Sequence, residues 1–181
     1  MRIIFWRQEP LSPDEERLLL TVEQAHRKSA LRDCASSVAV RSAAGGSGSF
    51  EAALAAGLLN LGGKHAPIRE IFQFLEKEKS DQQHDIISGR KIPGWGNSFF
   101  KGTPDPDWYA VRPAFLPFQG VLDRIDFITT VLHSVGKKLY PNAGCYTAAA
   151  ARIVGLPAET ASYLLISARL PIWTYLAQKE L

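Results

Sequence analysis

The stretch KLYPNAGCYTAAAARIVGLPAETASYLLISARLPIW, residues 138–173, decides the fold class. Asn142 is a preferred helix N-cap residue, and the small apolar residues after it predict a helix. Gly155 suits the left-handed position just beyond the end of that helix. Pro157 and Pro171 each suit the first position of a further helix. The stretch therefore predicts consecutive short helices, punctuated by glycine and proline, with no strand between them.

The N-terminal part of the chain carries the same helical signals. Ser12, Pro13 and Glu15 form the signature of a capping box, and apolar residues at helical spacing follow to about Ala25. Further helices are predicted at 50–61, 68–77 and 121–135. No segment alternates apolar and polar residues for long enough to predict a strand, so the sequence predicts an all-α fold.

Three segments between these helices are expected to be irregular. The glycine-rich run at 45–49 lacks the lysine of a P-loop. This favours a flexible turn, with Ser49 capping the next helix, over a nest that binds phosphate. The polar residues 77–85 are expected to form a solvated connection. Residues 90–118 are dense in proline, glycine and aromatic residues, and we expect a long ordered loop of the kind that often carries function.

Composition and charge exclude several classes of protein. The 181 residues are 46% hydrophobic and 22% charged, which is typical of one globular domain and excludes disordered or fibrous chains. The net charge of +3 is small and the lysines are scattered, so no nucleic-acid partner is expected. Cys34 and Cys145 are too few for a disulfide framework, and no apolar stretch is long enough for a signal peptide or a membrane span. We therefore expect a cytoplasmic protein with no membrane association and no metal site.

Four segments resemble, in order and spacing, motifs of the citrate synthase family, which includes 2-methylcitrate synthases and citryl-CoA lyases. Together they cover nearly the whole chain, and together they are far more specific than any one of them. The segments are Ala35-Ser36-Ser37 with Arg41; residues 50–67, which end in Gly62-Gly63-Lys64-His65-Ala66-Pro67; Ile92-Pro93-Gly94-Trp95-Gly96-Asn97 with Lys101 and Asp105-Pro106; and residues 138–173.

The resemblance implies how the chain is organised. It implies an all-helical, citrate synthase-like fold with a reduced large domain at 1–90, an active-site-like loop region at 91–118 and a small helical domain at 119–181. It also implies a homodimer, or a hetero-oligomer with a family relative. The helix at 50–61 is apolar nearly all round, and we expect it to be buried between two subunits.

The resemblance also implies an acyl-CoA site. In the family a carboxylate removes a proton from acyl-CoA, one histidine stabilises the enol oxygen, a second polarises the ketone of an oxo acid, and arginines hold carboxylates. His65 matches the first histidine, Asn97 takes the position of the second, and Arg169 matches a carboxylate-binding arginine. The loop that lies along CoA is matched by Ile92, Pro93, Gly94, Trp95 and Gly96.

Each of these matches has a plainer alternative when it is judged alone. His65 is then an ordinary histidine at a helix start, Arg169 is a member of a structural ion pair, and residues 92–96 form a tight structural turn. The resemblance favours the site role for His65. For Arg169 and the loop the two interpretations stay evenly balanced.

Several family site residues are replaced in this chain. The catalytic aspartate falls at Gly144, and an arginine that holds substrate falls at Asp107. A substrate histidine falls at Leu31 and the asparagine after it at Cys34. Asparagine at 97 donates a hydrogen bond but transfers no proton at neutral pH. Because losing a general base alone costs about 10²–10⁴-fold in rate, we do not expect standard citrate synthase activity.

Two other groups of residues allow a chemical or a structural interpretation. Cys145 follows Gly144 and is either a nucleophile paired with His65 or, as we favour, a buried inert thiol. The aromatic residues of the 90–118 region either stack on an adenine or pack the loop, and packing is favoured. These aromatic residues are Trp95, Phe99, Phe100 and Trp108.

Two functions follow from the resemblance and the replacements. The first is an enzyme that forms or cleaves a carbon–carbon bond with an acyl-CoA and a carboxylic acid, an acyltransferase or citryl-CoA lyase-like reaction with altered substrate. The second is a catalytically degenerate paralogue that binds a ligand or acts as a regulatory or scaffolding subunit. No tightly bound cofactor is expected in either case, because the CoA thioester is a substrate. A functionless fragment is disfavoured by the intact caps and apolar periodicities.

Overall fold

The computed structural model describes residues 9–32, 34–61 and 66–181. These residues form α-helices, one 3-10 helix and no strand, so the predicted all-α fold is confirmed. A single antiparallel bridge joins Trp95 and Pro141. The helices are α1 Pro13–Ala30, α2 Ala35–Ser47, α3 Phe50–Leu59, α4 Ile68–Glu76, α5 Lys79–Ile87, α6 Pro106–Val111, the 3-10 helix Arg112–Phe118, α7 Gln119–Ser134, α8 Ala143–Ile153 and α9 Tyr163–Glu180.

The helix caps lie where the sequence predicts them. The Ser12 hydroxyl accepts the Glu15 N–H at 3.3 Å and the Glu15 carboxylate accepts the Ser12 N–H at 2.7 Å, which closes the capping box of α1. The Asn142 side-chain oxygen caps α8 by accepting the N–H groups of Gly144 and Cys145, and Gly155 follows α8 at φ +75°. These local hydrogen bonds explain why the starts of α1 and α8 are readable from sequence.

The turn within the glycine-rich run is shorter than predicted. Helix α2 continues through Gly45 and Gly46 to Ser47, and only Gly48, at φ +61°, turns the chain. Ser49 then caps α3 by accepting the Ala52 N–H, as predicted. Two helical glycines cost about 1 kcal/mol each, and the buried face of α2 against α3 and α9 offsets that cost.

Two segments predicted as irregular contain helices. Residues 77–85 are largely helix α5, because Gln82 is fully buried and its side-chain amide donates to the Phe74 carbonyl at 2.7 Å. The second half of 90–118 forms α6 and the 3-10 helix. The Asp105 carboxylate accepts the Asp107 N–H and caps α6. The prediction for 77–85 was wrong and that for 90–118 was wrong only in its second half, because the stabilising contacts are made by polar side chains that sequence periodicity does not register.

The C-terminal helix is longer than predicted. Pro157 begins a turn rather than a helix, and α9 passes through Pro171 without a break. A proline inside a helix costs about 3 kcal/mol. Trp173 and Ala177 are fully buried beyond that proline, in a cluster with Val40 of α2. Burial of that size outweighs the lost hydrogen bond.

The long helix α9 ties the N- and C-terminal parts of the chain together. It packs against α1, α2 and α3, while α4 packs on α8 within the main apolar core. On α3 only Ala53 and Gly57 are buried, and Leu59 is 85% exposed. Helix α3 is thus buried on one face in the single chain. The domain boundaries and the dimer stay predictions.

None of the helices in the described part of the chain has the length and hydropathy needed to span a membrane.

A buried histidine lies beneath the contact between α1 and α8. The Thr147 hydroxyl donates to the Ala143 carbonyl at 2.6 Å, so it accepts a hydrogen bond from His26 Nε2, also at 2.6 Å. Burial, reinforced by the charge of Arg169, lowers the pKa of His26 well below its ordinary value of 6.5. His26 is therefore neutral in the folded protein.

This depressed pKa predicts an acid-side loss of stability. The unfolded chain takes up the His26 proton below about pH 6.5 and the folded chain does not. The stability that His26 provides is therefore fully present above that pH and falls by up to about 1.4 kcal/mol per pH unit below it. Urea unfolding between pH 7.5 and pH 5 measures the slope. His26→Gln is expected to flatten it, and an unchanged slope in His26→Gln would contradict the assignment.

Candidate functional site

A cleft of about 660 Å³ opens where the start of α2 faces the start of α8. The segment around Asn97 forms one wall, and Arg169 reaches the cleft from α9. The structure thus brings Asn97 and Arg169, two of the residues predicted from sequence, to one site. It also brings Gly144 and Cys34, the positions of two replaced family residues, to the same cleft.

Arg169 is the most distinctive residue of the cleft. Its side chain is 9% exposed, and Nη1 donates to the Ser36 hydroxyl at 3.0 Å. Its Nε is buried and has no hydrogen-bond partner. No carboxylate of the described residues forms an ion pair with it. The ion-pair alternative thus has no partner within the described part of the chain, where the guanidinium keeps a donor for an incoming carboxylate.

Asn97 lies in the wall of the cleft with most of its amide engaged. Its side-chain NH₂ donates to Asp105 at 2.9 Å, and its carbonyl accepts the Phe99 N–H at 2.9 Å. These bonds hold the wall in shape and leave one N–H for a ligand. A catalytic role for Asn97 stays a prediction.

Most of the predicted CoA loop, residues 92–96, packs within the protein and does not line the cleft. Ile92 and Trp95 are buried, and the Trp95 indole donates to Thr129 at 2.9 Å. Gly94 adopts φ +90°, where an added Cβ would lie 3.0 Å from a methyl carbon of Ile71.

Of the remaining loop residues, Gly96 reaches the main cleft. Its carbonyl accepts from the Asn142 amide at 2.7 Å, so the loop is fastened to the cap of α8. Ile92 and Pro93 line a separate concavity of about 270 Å³. The loop therefore has a structural role, and CoA contact by residues 92–96 stays a prediction.

His65 lies outside the residues that the structure describes. The described residues on either side of the gap, Leu61 and Ala66, line the cleft. The enol-stabilising role of His65 stays a prediction.

Cys34 is the site residue that sequence reasoning missed. From sequence alone it is only a position at which the resemblance implies that an asparagine is replaced. The structure places it at the N-cap of α2, half-buried, with its sulfur 3.2 Å from the Ser37 hydroxyl. The other cysteine, Cys145, is fully buried, and burial raises the pKa of its thiol, which agrees with the inert-thiol interpretation.

The aromatic residues divide between packing and exposure. Trp108 packs against Phe115, and Phe100 lies under the Arg32 guanidinium. Together with the buried Trp95 they belong to the structure of the loop region. Phe99 differs, because it lines the cleft and is 62% exposed. One aromatic surface is thus available at the mouth of the cleft.

The charged residues in the described walls of the cleft are positive. Among the described residues that line it, the charged ones are Lys91 and Arg169, and both are cations. No described lining residue carries a carboxylate, and Gly144 stands where the family has one. The cleft is therefore suited to an anion and has no carboxylate base in its described walls.

Comparison of the structure with solved proteins shows the same architecture in citryl-CoA lyase from Hydrogenobacter thermophilus. The two structures align with a TM-score of 0.77 over 95% of this chain and 71% of the lyase, at 21% sequence identity. The chain has a citrate synthase-like fold. The sequence matches no known protein family, and no curated protein sequence matches it. The fold agrees with the one that the four motifs imply.

In this citrate synthase-like fold, Asp107 is not available to a ligand. It is 3% exposed, and its carboxylate accepts from both terminal nitrogens of Arg32, at 2.9 Å and 3.2 Å. The reversed charge at this position is thus neutralised within the protein. Leu31, which stands where the family has a substrate histidine, is 55% exposed and does not line the cleft.

Restoring the family aspartate is expected to fail. A Cβ at Gly144 would lie 2.6 Å from Cδ1 of the fully buried Ile71. Gly144→Asp must therefore displace core side chains, at a cost of about 1–3 kcal/mol in unfolding free energy, and it does not restore citrate formation. Urea unfolding and a citrate synthase assay measure the two effects. The matched control is Gly120→Asp on α7, where an added Cβ meets no atom within 4 Å. Equal stability of the two variants would contradict the packing argument.

Proposed function

We propose that the cleft binds an anionic acyl thioester and that the protein acts on it by a reaction other than standard citrate synthesis. The observation that carries this proposal is Arg169, a nearly buried guanidinium with an unused N–H in a cleft whose described charged residues are both cations. An acyl-CoA with a carboxylate on its acyl chain, or an acyl-CoA with a separate carboxylic acid, meets that requirement.

The rim of the cleft supports CoA as the carrier of the acyl group. Lys91 is exposed and lines both the main cleft and the neighbouring concavity. Its ammonium is suited to a phosphate of CoA, and the exposed ring of Phe99 is suited to stacking on an adenine. Both contacts are proposals that extend the expectation drawn from the loop motif.

The composition of the cleft limits the reaction. Proton removal from the carbon next to a thioester needs a base close by, and Gly144 supplies none. A citryl-CoA lyase-like or acyltransferase reaction of this protein must then use another group. The same lack supports the second candidate, a ligand-binding subunit without turnover. The exposed Leu58 and Leu59 of α3 support pairing with a second copy or with a relative in either case.

Isothermal titration with succinyl-CoA, acetyl-CoA and free CoA tests the proposal. We expect heat with both thioesters, and tighter binding of succinyl-CoA because its carboxylate reaches Arg169. Release of CoA, followed with a thiol reagent, then separates an enzyme from a binding subunit. Absence of heat with all three ligands would remove the acyl-CoA proposal.

A further inference from the structure

The sulfur of Cys34 lies in the cleft among hydroxyl groups. Cys34 is the residue before α2, a helix of 13 residues, and Sγ lies 3.2 Å from Ser37 Oγ and 3.5 Å from Ser36 Oγ. The unpaired N–H groups of the first helical turn and the positive end of the helix dipole favour a negative sulfur at this position. Ser36 and Ser37 are both almost fully buried, so their hydroxyl groups have fixed partners.

The hydroxyl protons show how the sulfur is stabilised. Ser37 Oγ donates to the Ala30 carbonyl at 2.6 Å, so its proton is not available to the sulfur. Ser36 Oγ accepts from Arg169 Nη1 at 3.0 Å, which leaves the Ser36 proton free to point at Cys34. A relay therefore runs from the Arg169 guanidinium through Ser36 to the sulfur, and it stabilises a thiolate.

The charge balance at the sulfur agrees with this relay. Burial of the thiol raises its pKa, but the charge of Arg169, the hydrogen bond with the Ser36 hydroxyl and the hydrogen bond with the Ser37 backbone outweigh burial. The pKa of Cys34 consequently lies below its ordinary value of 9.0. Cys145, with no such neighbours, shifts in the opposite direction.

A second observation points to a ligand beside the sulfur. Arg169 is nine-tenths buried, its Nε is without a hydrogen-bond partner, and its side chain lines the same cleft as Cys34. The Cys34 sulfur and the Arg169 guanidinium therefore face one space, separated by a single serine hydroxyl. A ligand that has an electrophilic carbon and a carboxylate fits both.

We propose that Cys34 is a nucleophile that takes the acyl group from a thioester whose acyl chain bears a carboxylate, with that carboxylate held by Arg169. The inference rests on the proposed function and names the atom that reacts. It is also consistent with the absence of a carboxylate from the described walls of the cleft, because attack at a thioester carbonyl carbon requires no removal of an α-proton.

The proposed step exchanges one thioester for another. Cys34 Sγ forms a bond to the carbonyl carbon, the carbonyl oxygen carries the negative charge of the tetrahedral intermediate, and the amide N–H groups at the start of α2 are placed to stabilise it. The bond between the acyl carbon and the CoA sulfur then breaks. Its electron pair leaves with CoA, which takes a proton from water, and the acyl group remains on Cys34. No oxidant or reductant is needed.

Intact-protein mass spectrometry after incubation with succinyl-CoA tests this step. We expect one succinyl group on the wild type, none on Cys34→Ser, and at least tenfold slower labelling with acetyl-CoA, which lacks the carboxylate. The adduct must be released by neutral hydroxylamine, which cleaves a thioester and leaves a succinylated lysine intact. Succinyl-CoA binding by calorimetry without any adduct on Cys34 would overturn the inference while leaving the proposed function in place.

Alkylation tests the thiolate and the neighbouring cation without any CoA ligand. At pH 7 we expect iodoacetamide to label Cys34 at least tenfold faster than Cys145, with Cys34→Ser as the control. Iodoacetate carries a carboxylate, and its rate relative to iodoacetamide is expected to fall at least fivefold in Arg169→Gln but not in Arg17→Gln, an exposed arginine on α1. If the alkylation rate of Cys34 follows the pH profile of an ordinary thiol, and that profile is unchanged in Arg169→Gln, the relay is contradicted even if acyl-CoA binds.

Discussion

Arg169→Gln is expected to weaken the binding of succinyl-CoA by about 30- to 150-fold. The variant removes a charge-assisted contact to the carboxylate, which contributes about 2–3 kcal/mol where the site is largely desolvated. Arg169 is 9% exposed, so water does not replace the lost guanidinium fully. Arg169→Lys is expected to recover little, since an ammonium cannot present the planar fork or keep the Ser36 contact at the same time.

The control for this prediction separates binding from folding. Arg17→Gln removes an arginine whose side chain is 63% exposed, and it should leave the dissociation constant unchanged. Thermal unfolding of each variant checks that the chain is folded at the titration temperature. Unaltered affinity in a folded Arg169→Gln would show that the carboxylate binds elsewhere.

Asp107→Arg, which restores the family's arginine, is expected to destabilise the protein by about 3–5 kcal/mol. Asp107 is buried and its carboxylate takes two hydrogen bonds from Arg32. The variant would place two guanidinium groups against each other with little solvent to screen them. Combining it with Arg32→Asp restores opposite charges and is expected to recover part of the loss. Denaturant unfolding of the single and double variants measures both effects.

The exposed pair Arg112–Asp126 provides the matched control. Its two side chains are 39% and 47% exposed, and exposed pairs contribute less than about 1 kcal/mol. Asp126→Arg should therefore cost much less than Asp107→Arg. Equal costs would mean that Asp107 is not the buried anchor that the geometry indicates. Since the position is structural here, restoring the family residue is not a route to the family reaction.

Elements held by local contacts were predictable from sequence. The capping box at Ser12, the Asn142 cap and the glycine after α8 depend on residues within one turn of each other, and all three were predicted correctly. Helix α9 shows the opposite case. Its passage through Pro171 depends on the burial of Trp173 against α2 and α3, which no local rule contains.

The site was predictable only where a motif carried it. Arg169 was found through the resemblance, but its buried, unpaired Nε is a property of the assembled cleft. Sequence alone does not single out Cys34, because the neighbour that distinguishes it, Arg169, lies far along the chain and reaches it through Ser36. Asp107 is a further example. From sequence it replaces a substrate-holding arginine by an acid, whereas the structure shows that its carboxylate is paired with Arg32.

Proton NMR of succinyl-CoA in D₂O tests the central claim most directly, namely that the cleft binds an acyl thioester and that no carboxylate in its described walls removes the α-proton. The account predicts that the protein broadens the succinyl resonances and that Arg169→Gln reduces the broadening. It also predicts that the α-methylene protons exchange for deuterium no faster than in a protein-free sample. Faster exchange of those protons for deuterium, or no broadening with the wild type, would contradict it.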